Sequence, residues 1–301
     1  MELSGLADKL PNLQLRSAVI RLVRQFFHQH RYLEVDTPQL ADKPLPEAFI
    51  EPIQTDCGFL LPSPELYMKP LLAAGFGDIF QICHSFRKNE RGKYHLEEFT
   101  MLEYYRIGAN YLGLAEVTEN LFTFIAAELG RPDSLIYQGN IVDLTPPWTK
   151  LSISEAFTTA CGWDPIETPD PERFDLELAT SVAELSRRRP LIIYDFPAAM
   201  ASLAKLRPDN PTVAERAEIF IGGLELANIF SELTDPSEQR QRFEIEIPSN
   251  YSTGRQREMP EEFLVALEHL PESAGGALGI DRLVMLFCDA SDIRTVKTFP
   301  F

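Results

Sequence analysis

The sequence predicts an α+β fold, an antiparallel β-sheet flanked by helices. Strand-like stretches come in hairpin pairs, not in alternating βαβ units. Segments of helical period flank those pairs, and neither common nucleotide loop, GxxxxGK[ST] or GxGxxG, is present. Hydrophobic residues make up 45% of the 301, enough for a substantial core and too many for a disordered chain.

Apolar residues at Leu15, Val19, Leu22, Val23, Phe26 and Phe27 predict an amphipathic helix over residues 13–31. A short strand, YLEV at 32–35, follows and is stopped by Pro38. Strands are predicted at 79–86 and 99–107, separated by a polar loop at 87–98. A helix is predicted over 112–129, with Gly130 as its stop. Residues 143–190, richer in proline, read as a helical insertion. A short strand at 191–194 precedes a hairpin over 217–229 that turns at Gly222-Gly223. A helix over 263–270 and the Gly275-Gly276 stretch lead to a closing helix at 281–287.

The charge balance is −17, from 28 basic and 45 acidic side chains. Proteins that grip phosphate backbones usually carry the opposite sign, so nucleic acid is disfavoured as the main partner, while a basic protein partner is permitted. The four cysteines, Cys57, Cys83, Cys161 and Cys288, form no CxxC pair and read as free thiols of a reducing compartment. No signal peptide and no membrane-length apolar stretch is visible, so the expected location is the cytoplasm and no membrane partner is expected. His28, His30, His84 and His269 lack metal spacing and read as structural or surface residues.

Three stretches carry residues suited to chemistry. In the first, Phe99, Met101, Glu103 and Tyr105 share one strand face, with Arg87 at the end of the opposing strand. That surface suits an aromatic base, a phosphate and an ammonium group; a plainly solvated hairpin would also carry these charges. In the second, the Gly222-Gly223 turn pairs Ile221 with Leu224 and Phe220 with Glu225. Glu218 then lies one diagonal step from Glu225, roughly 7–8 Å away. Two carboxylates at that spacing suit a hydrated Mg²⁺ shared with substrate phosphates, or else point to water. In the third, glycines permit close approach of a ligand before the turn into a helix, and Arg282 in its first turn either favours an anion or pairs with a surface carboxylate.

Together these stretches resemble class II aminoacyl-tRNA synthetases. Arg87 with HLEEF at 95–99 is similar to motif 2, GALGIDRL at 276–283 to motif 3, and the helix ending in YLEVDTP at 32–38 to motif 1, the dimer element. SPELYMK at 63–69, EFTMLEYY at 98–105 and ELANIFSELTD at 225–235 resemble the lysyl branch. Motif 1 begins by about residue 13, so residues 1–301 are expected to form a single catalytic domain with no N-terminal anticodon-binding OB-fold. The nearest resemblance is to the truncated lysyl-synthetase paralogues that attach (R)-β-lysine to elongation factor P.

The resemblance implies an ATP-dependent ligase using Mg²⁺, a homodimer through residues 13–38, and elongation factor P in place of tRNA as acceptor. It implies Arg87 on the α-phosphate and Arg282 on the γ-phosphate as catalytic groups. His95 would lie by the outer phosphates and Phe99 against adenine, with Lys88, Asn89, Leu96, Glu225, Leu226 and Gly279 completing the ATP site. Glu218 and Glu225 would bind the metal. Ser63, Pro64, Glu65, Glu103, Tyr105, Asn228 and Glu232 would bind (R)-β-lysine or lysine. The family's Arg-x-Glu reads Arg87-Lys88-Asn89 here, with Glu90 one place later. Leu96 stands for the usual Asn, and Ile229, in place of Gly, is expected to add bulk beside the pocket. Ala277 is a paralogue feature where lysyl-tRNA synthetases have Gly. Two other readings remain: a lysyl-adenylate enzyme loading tRNA or another carrier, and a catalytically silent regulatory subunit.

Overall fold

The structure, a computed structural model, describes residues 3–47, 50–247, 251–252, 254 and 256–300. Its centre is a sheet whose strands are β1 (Leu33–Glu34), β2 (Ile79–Phe86), β3 (Glu98–Ile107), β4 (Thr149–Ser152), β5 (Leu191–Pro197), β6 (Asn210–Ile221), β7 (Leu224–Ser231) and β8 (Ser273–Gly279). In space they run β1-β2-β3-β8-β7-β6-β5-β4, and the short strand Leu206–Arg207 pairs with β6. The β1–β2 and β5–β4 pairs at the two ends are parallel, and the pairs between them are antiparallel.

The α+β class and the hairpins hold as expected. The β6–β7 hairpin turns at Gly222-Gly223, both at positive φ, and pairs Ile221 with Leu224 and Phe220 with Glu225. A register shift between Ile219 and Phe220 bulges this hairpin. After a one-turn helix at Leu3–Ala7, the longer helices are α1 (Leu10–Gln29), α2 (Glu65–Ala73), α3 (Tyr111–Glu128), α4 (Ile153–Cys161), α5 (Pro171–Glu177), α6 (Pro236–Glu246), α7 (Glu261–Leu267) and α8 (Ile280–Cys288). Residues 143–190 are not helical throughout: they also supply β4, which closes one end of the sheet. Two smaller sheets, one of Leu40–Ala41, Ile53–Thr55 and Gly58–Leu60 and one of Ser134–Tyr137 and Asn140–Asp143, have too little apolar alternation to be read from sequence.

One face of the sheet is sealed. Leu102 and Tyr104 from β3, Ala217 and Ile219 from β6, and Ile229 from β7 meet α1, α3 and α8 in the largest core cluster. The other face is covered only at its ends. Tyr105 and Ile79 pack under α2, α6 and α7 through Met68, Leu72, Phe243, Phe263 and Leu267. Leu191, Ile193 and Phe220 pack under α4 and α5 through Phe157 and Phe174. The middle of that face stays open, and this opening places the site.

Two glycines let the sheet pass between packed side chains. A Cβ on Gly276 would lie 2.8 Å from Cζ of Tyr104, on the sealed face. Tyr104 is fully buried and its hydroxyl bonds with Thr118 Oγ1 at 2.5 Å, so the ring has nowhere to retreat. Gly276→Ala should therefore cost about 1–3 kcal/mol in denaturant unfolding; an unchanged midpoint would mean the ring yields freely.

Candidate active site

The open middle of the sheet floors a cavity of about 930 Å³. Strand pairing lines up its floor in rows. One row runs Glu218, Asn228, Ala277, Glu103 and Gln81 across β6, β7, β8, β3 and β2. The next runs Arg216, Phe230, Gly275 and Tyr105. Side chains alternate along a strand, so Phe99, Met101, Glu103 and Tyr105 of β3 all reach this cavity.

Arg87 and Arg282, 195 positions apart in the chain, both line it. Arg87 follows β2, and its guanidinium lies 5.2 Å from the centre of the Phe99 ring. Its Nη1 is 3.7 Å from Glu90, and its buried Nε has no acceptor. Arg282 stands in the first turn of α8. Its Nη1 donates to the Glu225 carbonyl (2.8 Å), its Nε to the Tyr94 carbonyl (3.2 Å), and its Nη2 lies 2.6 Å from His95 Nε2. Burial and the facing Arg282 charge lower the pKa of His95, so the ring is a neutral acceptor for the guanidinium. Asp281, buried beside Arg282, accepts from Arg16 of α1 (2.5 Å) and from the Thr100 amide (2.8 Å), which ties the start of α8 to α1 and β3.

The cavity wall also includes Ser63, Glu65, His95, Leu96, Glu218, Glu225, Leu226, Asn228 and Gly279. Four residues expected at the site do not line it. Lys88 turns away to Glu51 (3.3 Å) and Ser252 (2.6 Å). Asn89 occupies a left-handed backbone position, φ +64°, and its amide bonds Glu97 (2.8 Å). Asn tolerates that conformation better than Glu, and Glu90 takes up the place facing Arg87 instead. Pro64 caps the start of α2. Glu232, fully buried, pairs with Lys69 Nζ at 2.6 Å. Ile229 does not crowd the pocket, because neighbouring residues face opposite ways and it points into the sealed core. Leu96 is likewise part of that core while touching the cavity, and offers no polar contact.

Sequence reasoning missed Arg216. Its Nη2 donates to Glu218 (2.7 Å), its Nε to Asn228 Oδ1 (3.0 Å) and its Nη1 to the Met200 carbonyl (2.9 Å). It lies two positions from Glu218 on one strand, so alternation alone would have found it. Lys69, one helical turn after Glu65, was missed for the parallel reason.

Carboxylates outnumber cations here. Burial, and then the neighbouring Glu225, push Glu218 up to about 7. Burial raises Glu232 to about 8, with Lys69 opposing and Glu65 adding. Burial and Glu65 hold Glu103 well above the usual range, although Tyr105 donates to it at 2.5 Å. Among the described residues no cluster of three or more His, Cys, Asp or Glu is placed to hold a metal. The Glu218–Glu225 pair is short of ligands for a bare cation, and fits one that brings phosphate oxygens with it.

Comparison with known proteins narrows the chemistry. A model of class II tRNA synthetases (D, K and N) matches residues 7–301. The chain belongs to the class II tRNA synthetase family. Within it, the chain is 36% identical over 311 residues to the elongation factor P–(R)-β-lysine ligase of Vibrio campbellii, covering 97% of this chain and 96% of that protein. It is 38% identical over 308 residues to the ligase of that name from Pectobacterium carotovorum, covering 96% and 94%. It is also 36% identical over 318 residues to the lysine–tRNA ligase of Psychrobacter, covering 95% of this chain and 62% of that protein.

The raised carboxylates set a pH signature. The folded state holds protons on Glu218 and Glu232 that the unfolded chain releases near 4.5, so stability is full below that value and is lost as pH rises to about 7 and 8. His95, its pKa lowered, acts in the opposite sense with a single proton. The melting temperature of the ligand-free protein should fall between about pH 5 and 8, and Glu218→Gln should flatten that fall. A melting temperature that rises across the window would contradict the buried charge excess.

Proposed function

We propose that this protein activates a lysine-type diamino acid, (R)-β-lysine or lysine, with ATP and transfers it to a lysine side chain of elongation factor P. The observation that carries the reading is the convergence of Arg87 and Arg282 on one cavity with Glu65 and Glu103. The ligases that resemble the chain along nearly their whole length support the acceptor, as does the net charge of −17, which suits a phosphate backbone poorly.

In the first step an oxygen of the amino-acid carboxylate attacks the α-phosphorus of ATP. The bond to the bridging oxygen breaks and pyrophosphate leaves. Arg87 holds the α-phosphate, and Arg282 with neutral His95 meets the outer phosphates. Phe99 stacks on adenine, and the backbone at Leu226 and Gly279 lines the nucleotide. Lys88, Asn89 and Leu96 shape this site from behind. Glu218 and Glu225 would hold Mg²⁺ together with the phosphates, and the ion would neutralise charge on the leaving pyrophosphate. In the second step an uncharged lysine amine of the acceptor attacks the acyl carbon of the adenylate. An amide bond forms, AMP leaves with the bonding electrons, and the amine loses a proton. Fixed cations and orientation supply most of such catalysis.

Ser63, Glu65, Glu103, Tyr105 and Asn228 form the diamino-acid pocket in this reading, with Pro64 and Glu232 behind its wall, and Ala277 sets its floor between Asn228 and Glu103. The chain acts as one catalytic domain, in the cytoplasm, as a homodimer through residues 13–38. No helix among the described residues is long and apolar enough to cross a membrane.

The test is ATP–pyrophosphate exchange with lysine and (R)-β-lysine, followed by mass spectrometry of elongation factor P. Exchange should depend on the diamino acid, and the factor should gain one aminoacyl unit. Label on tRNA would replace the acceptor, and no exchange with either isomer would sink the reading. Arg282→Ala should lower exchange by about 10²–10³-fold while the protein stays folded.

A further inference from the structure

Behind the diamino-acid pocket lies a buried cation. Lys69 lies on α2 one turn after Glu65, with a side chain 1% exposed. Its Nζ contacts the Glu65 carboxylate and Glu232 Oε2, the latter at 2.6 Å. It also lies 5.4 Å from the Phe230 ring centre and 5.6 Å from that of Phe263. The other oxygen of Glu232, Oε1, has no hydrogen-bond donor although it is fully buried. It lies against Gly275, which lines the cavity: a Cβ there would overlap it and come 2.5 Å from Tyr105. The ammonium thus occupies the inner side of the carboxylate pair and leaves one oxygen of Glu232 unsatisfied beside the cavity floor.

We infer that Lys69 is a built-in counter-cation and positioning residue, which holds the Glu65 and Glu232 side chains in place and aims Glu232 Oε1 at the far ammonium of the bound diamino acid. The inference rests on the functional reading above for the identity of that ammonium, and on the ion-pair geometry alone for the rest. The ionisable groups facing Lys69 are Glu65 on α2, Glu232 after β7, Glu103 on β3, and Glu47 between the strands Leu40–Ala41 and Ile53–Thr55. Burial works against the charge of Lys69, and Glu232 and Glu65 outweigh it, so the ammonium persists across the working pH range. Three carboxylates around one fixed cation leave room for the two positive charges of a diamino acid. A neutral side chain of similar length leaves the Glu232 oxygen unsatisfied, and such a site rejects it. Lys69 therefore acts on selectivity without reaching the reacting atoms.

The test is a mutant cycle in the full chain: Lys69→Met, Glu232→Gln and the double variant, with Lys69→Arg as the conservative rescue. In ligand-free denaturant melts, Lys69→Met should be strongly destabilising alone and much less so beside Glu232→Gln, because the second change removes the buried acid that lost its partner. If Lys69→Met alone does not fold, recovery of folded protein in the double variant gives the same answer. Equal losses in both backgrounds would make Lys69 a packing residue and overturn the inference. In pyrophosphate exchange, Lys69→Met should raise KM for the diamino acid at least about tenfold, with kcat within about threefold and the KM–pH profile moved to higher pH by about one unit. Lys69→Arg should restore the wild-type profile, and a profile unmoved in Lys69→Met would also overturn it. Wild-type protein that exchanges with no diamino acid would sink the functional reading instead, and the melts would still decide the role of Lys69.

Discussion

A carboxylate taken out of water must find a cation or take up a proton, and this protein buries Glu65, Glu103, Glu218 and Asp281 around one cavity, with Glu232 just behind it. Arg216 satisfies Glu218, and Lys69 is divided between Glu65 and Glu232. Glu103 is left with a tyrosine hydroxyl. The ligand-free site is therefore short of positive charge on the amino-acid side. On the opposite side Arg87 and Arg282 supply the reverse imbalance, suited to a polyanion. A reaction joining a cationic acid to a triphosphate needs both imbalances, set next to each other.

The fold makes that adjacency possible by leaving one face of the sheet half-covered. Strand register then decides which charge meets which. Glu218, Asn228, Ala277 and Glu103 come from four strands but share one row. The glycines of β8 let this row sit low, since any Cβ at Gly275 or Gly276 would meet a tyrosine ring. The Arg16–Asp281 pair ties α1 to the same point at which α8 presents Arg282. Elements far apart in sequence are thus held at one spot by a few buried polar contacts, each with little freedom to shift.

Much of this was legible in the sequence. The hairpins were, because alternating apolar residues flank a Gly-Gly turn. The shared face of Phe99, Met101, Glu103 and Tyr105 followed from a period of two. The same rule, applied from Asn228, would have sent Ile229 to the core, and applied from Glu218 it would have found Arg216. Strand β4 was hidden in a proline-rich stretch that also holds helices, and its edge position needs little apolar signal. The partner of Glu232 was out of reach for a different reason. Residues 69 and 232 meet only through tertiary packing of α2 against the end of β7, and a lone Lys and a lone Glu carry no mark of each other. Asn89 illustrates the same limit: its fitness depends on a left-handed backbone that no composition reveals.

The charge imbalance is measured most directly by titration calorimetry of lysine or (R)-β-lysine into the protein at pH 7, in buffers of different ionisation enthalpy. An incoming diammonium ligand should displace protons from Glu103 and Glu232, whose pKa values burial raises. The apparent enthalpy should then vary with the buffer in the sense of net proton release. Binding with no buffer dependence, or with proton uptake, would contradict a pocket that waits with more carboxylates than cations.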